Sequence, residues 1–168
     1  MISFHVLRPR LQLRARAAVA TTLASRPGYL GSDLLPAFLG RMSREKRPDR
    51  AIEIAIRAGV RLRLVAKVDK MDRGYFDEVI KPMLDHPLIE FIGEIDEGQK
   101  SVFLGEARAL LFPIDWIEPF GFVKIEAMSA GTPVIPWRNG PVPEIIEEGR
   151  SGLIVDPMDM AVEAVGPR

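Results

Sequence analysis

Short apolar runs alternate with helix-like stretches from Ala37 onward, and that alternation admits few folds. Ala37 to Gly40 reads as a buried strand. Arg47-Pro48-Asp49 opens a helix with proline in its first turn, and Gly59 closes it. Leu62, Leu64 and Val65 mark the next strand. Tyr75 to Leu84 has a helical pattern that Pro82 should kink or end. Leu88 to Ile92 is a strand, Glu97 to Ala107 a helix, and Ala109 to Phe112 an apolar run suited to the centre of a sheet. Pro133 to Ile135 (strand), Val142 to Glu147 (short helix) and Leu153 to Val155 (strand) follow. The pattern predicts an α/β fold: a Rossmann-like parallel sheet with helices on both faces. Ligands of such sheets bind beyond the carboxyl ends of the strands. The loops after Gly40, Val68, Gly93, Pro113 and Trp137 are therefore the ones to search.

Composition narrows the chemistry. The 168 residues are 47% hydrophobic, enough for one domain with a core. Cysteine is absent and only His5 and His86 occur, so thiolate sites, zinc centres and a Ser-His-Asp triad lack material, and no metal is expected. Zero net charge gives no general attraction to nucleic acid. No apolar run reaches the ~18 residues of a membrane span. The expectation is a cytoplasmic protein, at most peripheral to the inner face of the membrane. Charge is uneven, however. Residues 1–32 hold Arg8, Arg10, Arg14, Arg16 and Arg26 and no acid, whereas the remainder has 18 basic and 23 acidic residues. Residues 1–36 are read as a basic leader, poorly ordered or foreign to the domain, and 37–168 as the binding domain.

The densest chemistry lies in Glu118-Pro119-Phe120-Gly121-Phe122-Val123-Lys124-Ile125-Glu126. Two carboxylates stand eight residues apart across a loop that enters a helix, with Gly121 near the first turn and Gly131 just past the end. Free N–H groups at a helix start attract anions, and carboxylates accept from vicinal hydroxyls. Such a site suits a ligand with sugars and a diphosphate. After the first strand comes Gly40-Arg41-Met42-Ser43-Arg44-Glu45-Lys46, where Arg41 and Lys46 could reach a phosphate; a solvated basic loop is the plain alternative. The chain has no Gly-x-Gly-x-x-Gly and no Gly-x4-Gly-Lys-Ser/Thr, which weighs against dinucleotide redox enzymes and P-loop NTPases.

These segments, together with Phe91-Ile92-Gly93, Leu111-Phe112-Pro113, Ala127-Met128-Ser129-Ala130-Gly131-Thr132-Pro133, Asn139 to Ile146 and Gly149 to Val155, resemble the C-terminal half of family 4 glycosyltransferases. Those are retaining enzymes of the two-domain GT-B fold, and the likeness covers residues 37 to 157. The resemblance implies that Arg41 and Lys46 bind the diphosphate of a nucleotide-sugar donor and steady the leaving group. It implies that Glu118 contacts the donor sugar, so that Arg41, Lys46 and Glu118 carry the chemistry. Gly121 and Phe122 would turn their amides to the donor, Gly40 and Phe120 complete the binding set, and Glu126 would hold the ribose hydroxyls. It implies no metal or other cofactor. Loops near Val68 and Ile95 would flank the base.

The same resemblance implies a second, acceptor-binding domain, which residues 1–36 are too few to form, and a long last helix beyond Arg168. The expectation is an enzyme half that turns over little by itself. The alternative is a non-catalytic fragment or partner subunit that binds a nucleotide or docks on a separate N-terminal half. A GT-B-like epimerase or phosphorylase ranks last, since those lack this setting of two glutamates. The remaining residues get structural readings: Phe122, Ile125 and Met128 as core, Trp116 and Trp137 as packing, His86 as a surface cap. Asp115 is read as a solvated carboxylate and Glu144 as favouring the positive end of its helix.

Overall fold

The computed structural model describes residues 34–118, 121–156 and 158–166. Five parallel strands, β1 (Ala37–Arg41), β2 (Leu62–Lys67), β3 (Ile89–Gly93), β4 (Leu110–Phe112) and β5 (Val134–Pro136), lie in the order β3-β2-β1-β4-β5. The order reverses at β1, so a crevice opens between the loops that leave β1 and β4. All pairings are parallel, as the alternation of elements requires.

Alternate residues of the strands feed two cores. Ala37, Leu39, Val65, Leu110, Phe112 and Val134 point to one face of the sheet. Phe38, Leu62, Leu64, Leu111 and Ile135 point to the other. The second face is covered by α1 (Pro48–Ala58), the helical stretch 70–84 (α2) and α6 (Met158–Val165). The first is covered by α3 (Glu97–Gly105), α4 (Phe122–Ser129) and α5 (Val142–Ile145). Each fully buried Leu or Ile stabilises the fold by about 1.5–3 kcal/mol.

Several details differ from the sequence reading. Pro82 neither ends nor breaks α2. A wide π turn over Phe76–Ile80, in which the Lys81 N–H reaches the Phe76 carbonyl, precedes the proline and lets the helix run to Leu84. Residues 152–155 form no continuous strand. They lie parallel beside β5 through isolated bridges, Val134 to Gly152 and Trp137 to Val155. The backbones approach closely there: a Cβ on Gly152 would stand 2.2 Å from the Val134 carbonyl oxygen. Helix α6 was not foreseen, although Ala161, Ala164 and Val165 have the spacing of a buried stripe. The carbonyls of Leu35 and Pro36 accept from the N–H groups of Arg108 and Arg63 beside the sheet. Residues 1–33 lie outside the described residues.

Candidate functional site

The loop after β1 is built around one left-handed residue. Arg47 has φ 52° and ψ 51°, costly for a side chain with a Cβ, and it directly precedes Pro48 at the start of α1. Its guanidinium supplies the compensation. It forks onto Asp49 (Nη2 to Oδ2, 3.0 Å; Nε to Oδ1, 3.1 Å) and reaches Asp115 Oδ2 at 2.6 Å in the loop after β4. Arg50 joins Asp115 Oδ2 at 3.2 Å, donates to the Pro113 carbonyl at 3.2 Å and stacks over Trp137, 4.6 Å from the ring centre. Asp49 also accepts from the Tyr75 hydroxyl at 2.9 Å. Burial raises the Asp49 carboxyl, but Arg47 and Tyr75 outweigh it and the net pKa lies below the usual range. Burial and the same carboxylate push the Tyr75 phenol up. Asp115 is thus not a free solvated carboxylate; it ties two loops together across the crevice.

Between the same two loops Lys46 and Glu118 stand face to face. Lys46 Nζ donates to Glu118 Oε1 at 2.5 Å, with both side chains about one-fifth exposed (24% and 19%). Glu118 Oε2 is buried without a hydrogen-bond partner among the described residues, and so is Ser43 Oγ. The two charged groups line a small hollow together with Phe38, Gly40, Phe112, Ile114 and Gly121. Gly121 caps α4 with φ 56°. The positive φ favours glycine there, and a Cβ would meet the tip of Lys124 at 2.6–2.7 Å, which would have to shift.

Arg41 stands apart from this pair. It is half exposed and its Nε sits 3.2 Å from Asp72 Oδ2 and 4.0 Å from Asp69 Oδ2, on the β2 side of the crevice. Glu126, a little over one turn into α4, borders a different hollow of about 320 Å³ with Glu97, Lys100 and Ser101 of α3. The described site therefore has two compartments on either side of α4. One holds Lys46 and Glu118, the other Glu126. Phe120 lies outside the described residues.

The hydrophobic assignments on α4 need correction. Phe122 is 65% and Ile125 45% exposed, and neither is core. The short helix buries Lys124 and Ala127 instead, with Met128 partly covered. Trp116 is 50% exposed rather than packed, whereas Trp137 is partly buried against Arg50. His86 accepts from the Leu88 N–H at 3.2 Å and caps its turn. Glu144 lies in the first turn of α5. Sequence reasoning missed Lys124, which is 1% exposed with its Nζ 4.7 Å above the Phe112 ring. Burial pushes its pKa below the ordinary lysine range; Glu118 opposes that shift and Lys46 adds to it.

Comparison with known proteins follows the same lines. Residues 31–165 match the family described as Glycosyl transferases group 1. A D-inositol 3-phosphate glycosyltransferase of Streptomyces scabiei (strain 87.22) is 30% identical over 152 residues, 83% of this chain and 34% of that protein. A glycogen synthase of Mycobacterium tuberculosis (strain H37Rv) is 35% identical over 78 residues, 46% of this chain and 19% of that protein. Among solved structures, AviGT4, a glycosyltransferase involved in avilamycin A biosynthesis, superposes with a TM-score of 0.67 at 27% identity, over 92% of this chain and 45% of that one. Anabaena HepE in complex with UDP and glucose shares the fold (TM-score 0.65, 18% identity, 94% of this chain and 46% of that one). The chain spans about a third of the first curated relative and under half of these structures. The chain belongs to the group 1 glycosyltransferases, and its described residues form one Rossmann-like unit of the GT-B fold.

Proposed function

We propose that this domain binds a nucleotide-diphosphate sugar and presents the sugar for transfer, with retention, to an acceptor held from outside the described residues. The observation that carries the reading is the Lys46–Glu118 pair at the switch point of the sheet, beside the mouth of α4. As the glycosidic bond to the donor breaks, negative charge grows on the diphosphate. A fixed cation and helix-end amides stabilise that charge more in the transition state than in the ground state. Lys46 supplies the cation, and Arg41 supplies a second once it leaves Asp72. Glu118 accepts from sugar hydroxyls. Glu126, across α4, accepts from the ribose. With these groups on the diphosphate, the reading assigns no metal. It places the domain in the cytoplasm; among the described residues no helix is long and apolar enough to cross a membrane. Membership of the family supports the reading, and HepE, which shares the fold, holds UDP and glucose in its crystal structure. Calorimetry with UDP, GDP and ADP tests it: the wild type binds at least one, and Glu126→Ala weakens that binding. Absence of binding to all three contradicts it.

A second reading is favoured by one observation. Trp116, Ile117 and Phe122 are 50–68% exposed around the mouth of the site. Such a rim suits docking of another domain or subunit, with this chain as the nucleotide-holding partner. Sugar transfer that appears only when an N-terminal half from a relative is added supports that reading. Transfer by the chain alone contradicts it.

A further inference from the structure

Lys124 has no part in the reading above, yet few side chains in the molecule are placed so unusually. It sits on α4 between Glu118 and Glu126 in the sequence and is 1% exposed. Its stem fills the space left by the missing Cβ of Gly121, and its ammonium lies against the Phe112 ring. Gly121 and Phe112 both line the Lys46–Glu118 hollow, so the ammonium stands just behind its wall. The contact of its ammonium among the described residues is with the Phe112 ring. It does feel both charges of the pair: attraction to Glu118 and repulsion from Lys46.

The pair itself poses the problem that Lys124 answers. Lys46 is engaged by Glu118 in this structure, so its ammonium is not free for a diphosphate. A ligand must draw Lys46 away. That step leaves the Glu118 carboxylate in a largely buried place, with one oxygen already lacking a partner. An uncompensated buried charge of this kind is strongly unfavourable. A second cation close by removes much of the penalty. A lysine has four rotatable carbons and a compact charge, and the tip of this one is already at Gly121, three residues from Glu118.

We propose that Lys124 is a positioning residue of the donor site, a buried reserve cation that takes over the charge of Glu118 when Lys46 turns to the diphosphate of a ligand. The inference rests on the donor-binding reading. It goes beyond it by assigning the exchange of counter-ions to a residue that touches neither sugar nor phosphate.

Neutral variants of similar length separate this role from a packing role. Calorimetry with UDP, GDP and ADP is run on the full chain as wild type, Lys124→Met, Glu118→Gln and the double variant, with Lys124→Leu as a second neutral form. Lys124→Met is expected to melt at the same temperature as wild type or higher, since it removes a buried charge and keeps the stem. It is expected to bind nucleoside diphosphate about tenfold or more weakly. In the Glu118→Gln background the same change has little further effect, because no carboxylate charge remains to be taken over. Wild-type affinity in both neutral variants overturns the inference and leaves the donor reading standing. An equal loss in both backgrounds also overturns it, as does failure of both neutral forms to fold, which marks the ammonium as structural. A wild type that binds none of the three ligands removes the donor reading and this inference with it.

Discussion

Arg47 Nη1 lies 2.6 Å from Asp115 Oδ2, and that bond joins the loop carrying Lys46 to the loop carrying Glu118. Lys46 directly precedes Arg47, and Glu118 follows Asp115 by three residues. The contact thus lies one residue from Lys46 and three from Glu118, the paired side chains of the candidate site. Both partners are part exposed (29% and 45%), so the contribution to stability is discounted for solvent. A double-mutant cycle of Arg47→Ala and Asp115→Ala is expected to give a coupling of about 1 kcal/mol or less in chemical denaturation. The effect on nucleotide affinity should be larger than that on stability, because the pair Lys46–Glu118 loses its register. Equal small effects on both would show that the tie does not position the site.

Gly152 tests the path beside β5. A Cβ there would lie 2.2 Å from a backbone oxygen of Val134, which cannot move without disturbing the sheet. Gly152→Ala should destabilise the fold by about 2–4 kcal/mol, read as a fall in the midpoint of urea unfolding. Gly59→Ala, where a Cβ meets open space but φ is 68°, should cost less, about 1 kcal/mol.

Asp49 tests the electrostatics of the β1 loop. Burial opposes its ionisation, yet Arg47 and Tyr75 hold its pKa below the ordinary carboxylate range. A depressed carboxyl contributes stability that is present above the unfolded pKa and lost as pH falls through the folded one. The window is therefore below about pH 4. Tyr75→Phe removes one of the hydrogen-bonding partners that lower it, so its deficit relative to wild type should be largest near neutral pH and shrink in that acid window. A deficit that does not change with pH would mean that the hydroxyl does not sense the carboxylate.

Lys124 has the opposite sign. Its pKa is pushed down by burial, so in the folded state the charged form is disfavoured. The resulting penalty is fully present below the folded pKa. It is relieved as pH rises from there toward the unfolded lysine value near 10.4. Wild type should gain stability on Lys124→Met over that alkaline window, whereas the variant should show a flatter profile in thermal melts. Parallel profiles would show that the ammonium is solvated.

Much of this fold could be read from the chain because its signals are local. The alternation of Phe38 with Leu39 and of Leu64 with Val65 sends neighbours to opposite cores, and Pro48 and Gly59 mark the two ends of α1. The Glu118 to Glu126 segment was legible for the same reason, since loop, cap glycine and helix follow one another in sequence. What was hidden depends on contacts between distant segments. Asp115 reads as a loop carboxylate until Arg47 and Arg50, more than sixty residues away, are folded against it. Lysine in a short helix reads as surface, yet at Lys124 the absent side chain of Gly121 leaves a channel that the stem enters. Burying Lys124 and Ala127 then turns Phe122 and Ile125 outward, the reverse of what their hydrophobicity suggests.

In the proposed donor complex one ligand spans both sides of α4, with its diphosphate at Lys46 and the helix mouth and its ribose at Glu126. Amide chemical-shift mapping with UDP, GDP and ADP in turn tests it most directly. At least one of them should move the amides of residues 40–46, 121–123 and 126 together, and Lys46→Ala should abolish the changes at 121–123 first. Shifts confined to another edge of the sheet, or none with any of the three, would contradict it.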